Sequence, residues 1–278
     1  MIEIQNVNFA YRKKQPVFQD MNLKLSAGHI HGLFGKNGAG KTTLLRLMSG
    51  LLFPSTGSIS ALNQTPMQRH PDFLREIFFL PEELYFPNLN IVDYGKYSGV
   101  FYPRFDNALY EQLLRDFEIT NFKQPIAKLS HGTKKKVMIA FGLASNTKIL
   151  FMDEPTNGLD IPSKSQFRKM VSAMNFDDRC IIISTHQVRD LHALIDSVVI
   201  LDEHEILLNA STEEIVRKLV FRITDSNTSH PNALYCEESL QGSLLVEENS
   251  DNEESKLDIE LLFNAVFANK TKIKQIFQ

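Results

Sequence analysis

The octapeptide GKNGAGKT at residues 35–42 constrains this chain more than any other feature. It lies between HIHGLF, an apolar run of strand character, and TTLLRLMSGLL, a run of helical periodicity that Pro54 is expected to end. A strand that turns into a helix through glycines leaves successive backbone N–H groups free to converge on an anion. Glycine permits the required angles, and the helix adds the positive end of its dipole. Gly35, Gly40, Lys41 and Thr42 fit the spacing G-x-x-x-x-G-K-[ST], a phosphate cradle. The loop residues Lys36, Asn37, Gly38, Ala39 and Thr43 complete its wall. Lys41 is positioned to reach the β- and γ-phosphates of ATP, and the Thr42 hydroxyl to join the ligand shell of Mg²⁺, an ion that keeps several waters and accepts phosphate oxygen.

A nucleotide site also needs a carboxylate for the metal and a group to activate water, and ILFMDE at 149–154 ends an apolar strand on such a pair. Asp153 is expected to hold Mg²⁺ with Thr42, and Glu154 to orient or deprotonate water as general base. Adjacent carboxylates at a strand end are often only solvated surface, and the cradle upstream is what favours the catalytic reading.

The rest of the chain predicts an α/β protein. Residues 2–34 alternate as short strands broken at Tyr11 to Pro16 and Ser26 to Gly28, an antiparallel sheet feeding a buried strand. Residues about 84–146 read as a helical insertion, with Asn90 and Asp93 as a capping pair and KKKVMIAFGLA as a helix. KILFMDE, CIIISTH and SVVILDE are apolar throughout, as expected of strands buried on both faces of a parallel sheet. From 206 to 278 the pattern becomes a small α+β extension. STEEIVRKL is a capped helix, FRIT, ALYCE and SLLVEE are strand-like, and EENSDNEES is an acidic loop. The terminal run carries Ile259, Leu262, Phe263, Val266 and Phe267 at helical spacing behind the cap Asp258.

Composition narrows the partners. A formal charge of −3 over 278 residues gives no basic field, so nucleic acid is not expected. Cys180 and Cys236 have no metal-ligand spacing and read as two buried thiols in a reducing cytosol. The N-terminus lacks a signal-peptide pattern, and no apolar run approaches the ~20 residues that span a bilayer, so membrane attachment is expected through a partner.

Taken in order, GKNGAGKT, LSHGTKKK (129–136), ILFMDEPTNGLD (149–160) and STH (184–186) resemble the ABC ATPases over roughly residues 1–205. The resemblance implies a P-loop NTPase core with an antiparallel β subdomain and a helical subdomain. It also implies ATP and Mg²⁺ as cofactors, a homodimer or a pairing with a paralogous ATPase subunit, and a separate transmembrane permease on whose inner face the protein would sit. It implies roles as well. Ser130 and Gly132 would meet the γ-phosphate of ATP held by the opposite subunit, Asp160 would communicate between the two sites, His186 would touch the γ-phosphate, and Tyr11 would stack on adenine. His131 and Thr133 depart from the family's usual LSGGQ. Glu82, in FFLPEE, stands where the family's lid loop has a glutamine, keeping an oxygen for the metal while losing the amide donor. LPEE with LS-x-G-x-K-K-K is similar to a bacterial exporter subgroup of the bacitracin-resistance type, which points to export. Lys134, Lys135 and Lys136 are expected on a solvated helix face. The alternative is a soluble ABC-type ATPase acting on ribosomes or DNA, but such proteins carry paired cassettes or a long coiled coil, and this chain has neither.

Overall fold

The computed structural model describes residues 1–12, 15–174, 177–192, 194–225, 233–240 and 242–277. Its first part runs β1 (Ile2–Arg12), β2 (Gln15–Leu25), β3 (His29–Phe34), α1 (Lys41–Met48), β4 (Thr56–Ala61), α2 (Pro71–Leu74) and β5 (Ile77–Leu80). The helical insertion follows as α3 (Ile91–Gly99), α4 (Asn107–Asp116) and α5 (His131–Ala144). Next come β6 (Ile149–Asp153), α6 (Ile161–Ser172), β7 (Cys180–Thr185), β8 (Ser197–Asp202) and β9 (Glu205–Ser211). The extension holds α7 (Thr212–Lys218), β10 (Leu219–Thr224), β11 (Tyr235–Ser239), β12 (Gly242–Glu248), α8 (Ile259–Ala268) and α9 (Lys270–Phe277). Residues 13 and 14, inside the expected break before Pro16, lie outside the described residues.

The central sheet has the order β5-β6-β7-β3-β8-β9, parallel except for the edge strand β9, which pairs antiparallel with β8. Alternate residues divide its two faces. Leu33, Phe151, Ile182 and Val199 pack with α1 and the antiparallel sheet β2-β1-β4. Leu150, Met152, Ile181 and Ile200 pack with the helical insertion and with Leu219, Val246, Leu262 and Ile273 of the extension. Helix and sheet layers on both faces explain why these strands read as unbroken apolar runs. The insertion's helices are capped by Asn90, Asp106 and Ser130, each accepting a backbone N–H three residues on, and of these Asn90 with Asp93 is the pair the sequence predicts.

Four expectations change. The helix after the glycine loop stops at Met48 rather than running to Pro54. Gly50 turns the chain at φ 71°, and a Cβ there would meet the Pro66 carbonyl at 2.2 Å. The boundary expected at 205 falls in the β8–β9 hairpin, so the central sheet closes at Ser211, and the extension shares the apolar cluster of the insertion instead of owning a core. Cys180 is buried but Cys236 is exposed, because β11 lies at the edge of the small sheet β10-β12-β11. The terminal run is two helices, separated at Asn269.

Candidate functional site

Parallel pairing brings the C-terminal ends of the central strands level, since Phe34 sits opposite Thr185 and Asp153 opposite Ser184. Ligands of open α/β sheets lie beyond such ends. Here the turn from Gly35 to Gly40 leaves β3 and enters α1, whose cap position is Gly40 in the left-handed region at φ 102° with no side-chain cap. The first-turn N–H groups therefore remain available to an anion. Two glycines are sterically required. A Cβ on Gly35 would stand 2.6 Å from the Leu201 carbonyl, and one on Gly40 would stand 2.9 Å from the Phe18 ring.

Lys41 is buried, and its Nζ donates to the carbonyls of Gly35 at 2.8 Å and Lys36 at 3.3 Å, folding the side chain back along the loop. Burial pushes its pKa down, against the opposing pull of Glu154, Asp153 and Glu82. Asp153 is held at both oxygens: Thr42 Oγ1 donates to Oδ2 at 2.7 Å, and Ser184 Oγ donates to Oδ1 at 2.6 Å. Glu154, in the left-handed region at φ 47°, has a carboxylate clasped by Thr185 Oγ1 at 3.1 Å, the His186 backbone N–H at 3.0 Å and His186 Nδ1 at 2.8 Å.

An open cleft of about 510 Å³ gathers Asn37, Gly38, Gly40 to Thr43, Glu82, Glu154, Asn157 and His186. Glu82 enters from the loop after β5, where its Oε1 accepts from Asn157 Nδ2 at 3.1 Å. Its backbone carbonyl accepts from Lys135 Nζ at 3.1 Å. Lys135 is wholly buried, contrary to the solvated face expected for the lysine triplet, because α5 turns this position under the lid loop. Burial lowers its pKa, opposed first by Glu82 and then by Asp153 and Glu154. Lys136 instead lies 5.9 Å over the Phe117 ring. The oxygen donors Thr42, Asp153 and Glu82 suit Mg²⁺. Among the described residues no cluster of three or more His, Cys, Asp or Glu side chains is assembled, so a metal here would draw its remaining ligands from phosphate and water.

The other expected residues lie around this cleft rather than in it. The Lys36 side chain turns away and sets its Nζ 4.4 Å over the Phe267 ring of α8, leaving only its backbone to the cradle. Tyr11 is 58% exposed, and its hydroxyl pairs with Thr43 Oγ1 at 3.0 Å. Ser130 caps α5 by accepting from the Thr133 N–H at 3.1 Å. Gly132 faces Gly158, where an added Cβ would meet the carbonyl at 3.1 Å, so the LSHG turn abuts the loop that leads to Asp160. Asp160 caps α6 through the Ser163 N–H at 3.0 Å, and its hydrogen bonds to Ser163 hold the exposed carboxyl below its usual range. Ser184, Thr185, Asn157 and Lys135 escaped sequence reasoning. Only the polar STH ending an apolar strand could have flagged the first two.

Residues 18–157 match the family described as ABC transporter. The ABC transporter ATP-binding protein YtrB of Bacillus subtilis is 28% identical over 240 residues, covering 82% of this chain and 79% of YtrB. The lantibiotic transport ATP-binding protein SrtF of Streptococcus pyogenes is 30% identical over 211 residues, covering 75% of this chain and 90% of SrtF. A solved ATP binding subunit of an ABC transporter superposes with TM-score 0.70 at 25% identity, over 78% of this chain and 92% of that one. A dimeric ATP-binding cassette in a post-hydrolysis state, bound to ADP and Pi, shares the fold with TM-score 0.66 at 21% identity, over 76% and 98% of the two chains.

Proposed function

This chain belongs to the ABC transporter family, as an ATP-binding subunit and an ATPase, and on that premise we propose that it drives export through a separate membrane-spanning partner by ATP-dependent closure of a dimer. The observation that carries the proposal is the convergence of Lys41, Thr42, Glu82, Glu154 and His186 on one cleft beside an uncapped helix N-terminus. Among the described residues no helix is long and apolar enough to cross a membrane. In the proposal, the separate permease holds the chain on the cytoplasmic face of the membrane.

In this reading the loop from Gly35 to Thr43 wraps the phosphates with backbone N–H groups, and Lys41 exchanges its carbonyl partners for the β- and γ-phosphate oxygens. Thr42, Asp153 and Glu82 would hold Mg²⁺, which when bound neutralises charge that develops on the transferred phosphoryl group. Glu154 would take the proton of the attacking water. A carboxylate has about four acceptor positions, and the three donors that clasp Glu154 leave room for a water. Glu154 fixes Nδ1 of His186, so Nε2 is the nitrogen left to face the γ-phosphate.

Ser130 and Gly132, at the exposed N-terminus of α5, would complete the site on a second subunit, and Asp160 beside them would pass the state of one site to the other. Glu82 links the cleft to the insertion through Lys135 of α5, giving hydrolysis a mechanical route to the permease. The export direction is supported by the departures LPEE and LSHGTKKK. Sedimentation of Glu154→Gln protein tests dimer closure: ATP with Mg²⁺ should convert monomer to dimer, and a monomer at saturating ATP would contradict it.

A further inference from the structure

The extension reaches the nucleotide site at two points, and neither has a part in the mechanism above. On one side the Lys36 ammonium rests 4.4 Å from the Phe267 ring centre, and Phe267 is itself braced by Phe263 at 4.5 Å. Lys36 also supplies, at 3.3 Å, one of the two carbonyls that accept from Lys41, beside that of Gly35 at 2.8 Å. On the other side α8 packs on the short turn Val188–Asp190, two residues beyond His186. There Arg189 pairs with Glu260 at 2.5 Å, and His192 Nε2 bonds the Leu257 carbonyl at 3.0 Å. Lys270 pairs with the buried Asp202 at the end of β8, and Lys274 pairs with Glu205 at 2.7 Å. Thus α8 and α9 fasten the end of β8, the start of β9 and the turn that follows His186.

A lysine held over a ring has less freedom than one waving in solvent, and the backbone that bears it is restrained with it. We propose that Phe267 is a positioning residue for ATP: by seating Lys36 it sets the glycine loop, and with it the resting place of Lys41, before nucleotide arrives. Seating the loop in advance lowers the ordering cost of binding. The reverse also follows by linkage, since nucleotide that reshapes the loop must change the environment of Phe267. The inference rests on the reading of GKNGAGKT as the ATP cradle.

The chain contains no tryptophan, so Phe267→Trp installs a single fluorescent reporter at this contact while keeping an aromatic face for Lys36. In the full-length protein, the emission of that variant should change saturably with the non-hydrolysable analogue AMP-PNP and Mg²⁺. The midpoint should match displacement of methylanthraniloyl-ATP from the same protein. Phe267→Leu, which keeps apolar bulk without a π face, should weaken methylanthraniloyl-ATP binding by about two- to fivefold, the range expected of one exposed cation–π contact. Lys36→Met should do the same, the double variant should be no worse than either, and Phe267→Tyr should restore binding. A parent that binds nucleotide, with a tryptophan silent to it and Phe267→Leu binding unchanged, would overturn this inference alone. A parent that binds no nucleotide would overturn the cradle itself.

Discussion

The nucleotide cleft and the C-terminal extension are built on opposite principles. In the cleft, directional hydrogen bonds fix polar groups that are almost wholly buried. Asp153 and Glu154 are 2% and 6% exposed, and each oxygen has a donor within about 3 Å. In the extension, apolar side chains such as Leu262, Val266 and Ile273 supply the adhesion, while polar links such as Arg189–Glu260 lie in solvent. Buried polar networks fail sharply when one member is lost, whereas exposed ion pairs contribute little. Chemistry should therefore be sensitive to single atoms in the cleft, and stability to volume in the extension.

The largest expected effect lies in the cleft. Glu154→Gln changes one atom and should lower ATP turnover by about 10²- to 10⁴-fold while methylanthraniloyl-ATP still binds. Turnover like the parent's would remove Glu154 as the base. Leu262→Ala in the extension should cost about 2–5 kcal/mol in urea unfolding, because a fully buried leucine leaves a cavity. A cost below ~1 kcal/mol would mean that the extension is not part of the core. Lys135→Met strips the Glu82 carbonyl of its donor and should cost about 1–3 kcal/mol by the same measurement. Enhanced stability there would show that burying the ammonium outweighs the bond it makes. Smallest of all, Arg189→Ala should shift unfolding by under ~1 kcal/mol, and a larger loss would erase the contrast between the regions.

The same contrast explains what could be read from sequence. The glycine loop was legible because an added Cβ at Gly35 or Gly40 would strike the Leu201 carbonyl or the Phe18 ring, which leaves glycine no substitute at two positions of the motif. The parallel strands were legible because both their faces are covered. Lys135 was not, since a buried lysine and an exposed one look alike in KKK, and only the turn of α5 beneath the Glu82 loop tells them apart. Lys36 was assigned to the cradle for its place in the motif, yet its side chain serves a residue 231 positions away, a contact that no local pattern announces. The end of α1 was misjudged because Gly50 in an apolar run gives no warning of the Pro66 carbonyl pressed against it.

Whether this cleft powers a membrane partner is tested most directly by affinity purification of tagged Glu154→Gln protein from detergent-solubilised membranes of the native host, with ATP and Mg²⁺ holding the closed state, followed by mass spectrometry. A multi-helix membrane protein should be recovered in near-equal amount. Recovery of only ribosomal or DNA-associated proteins would contradict the proposal and assign the ATPase to a soluble machine.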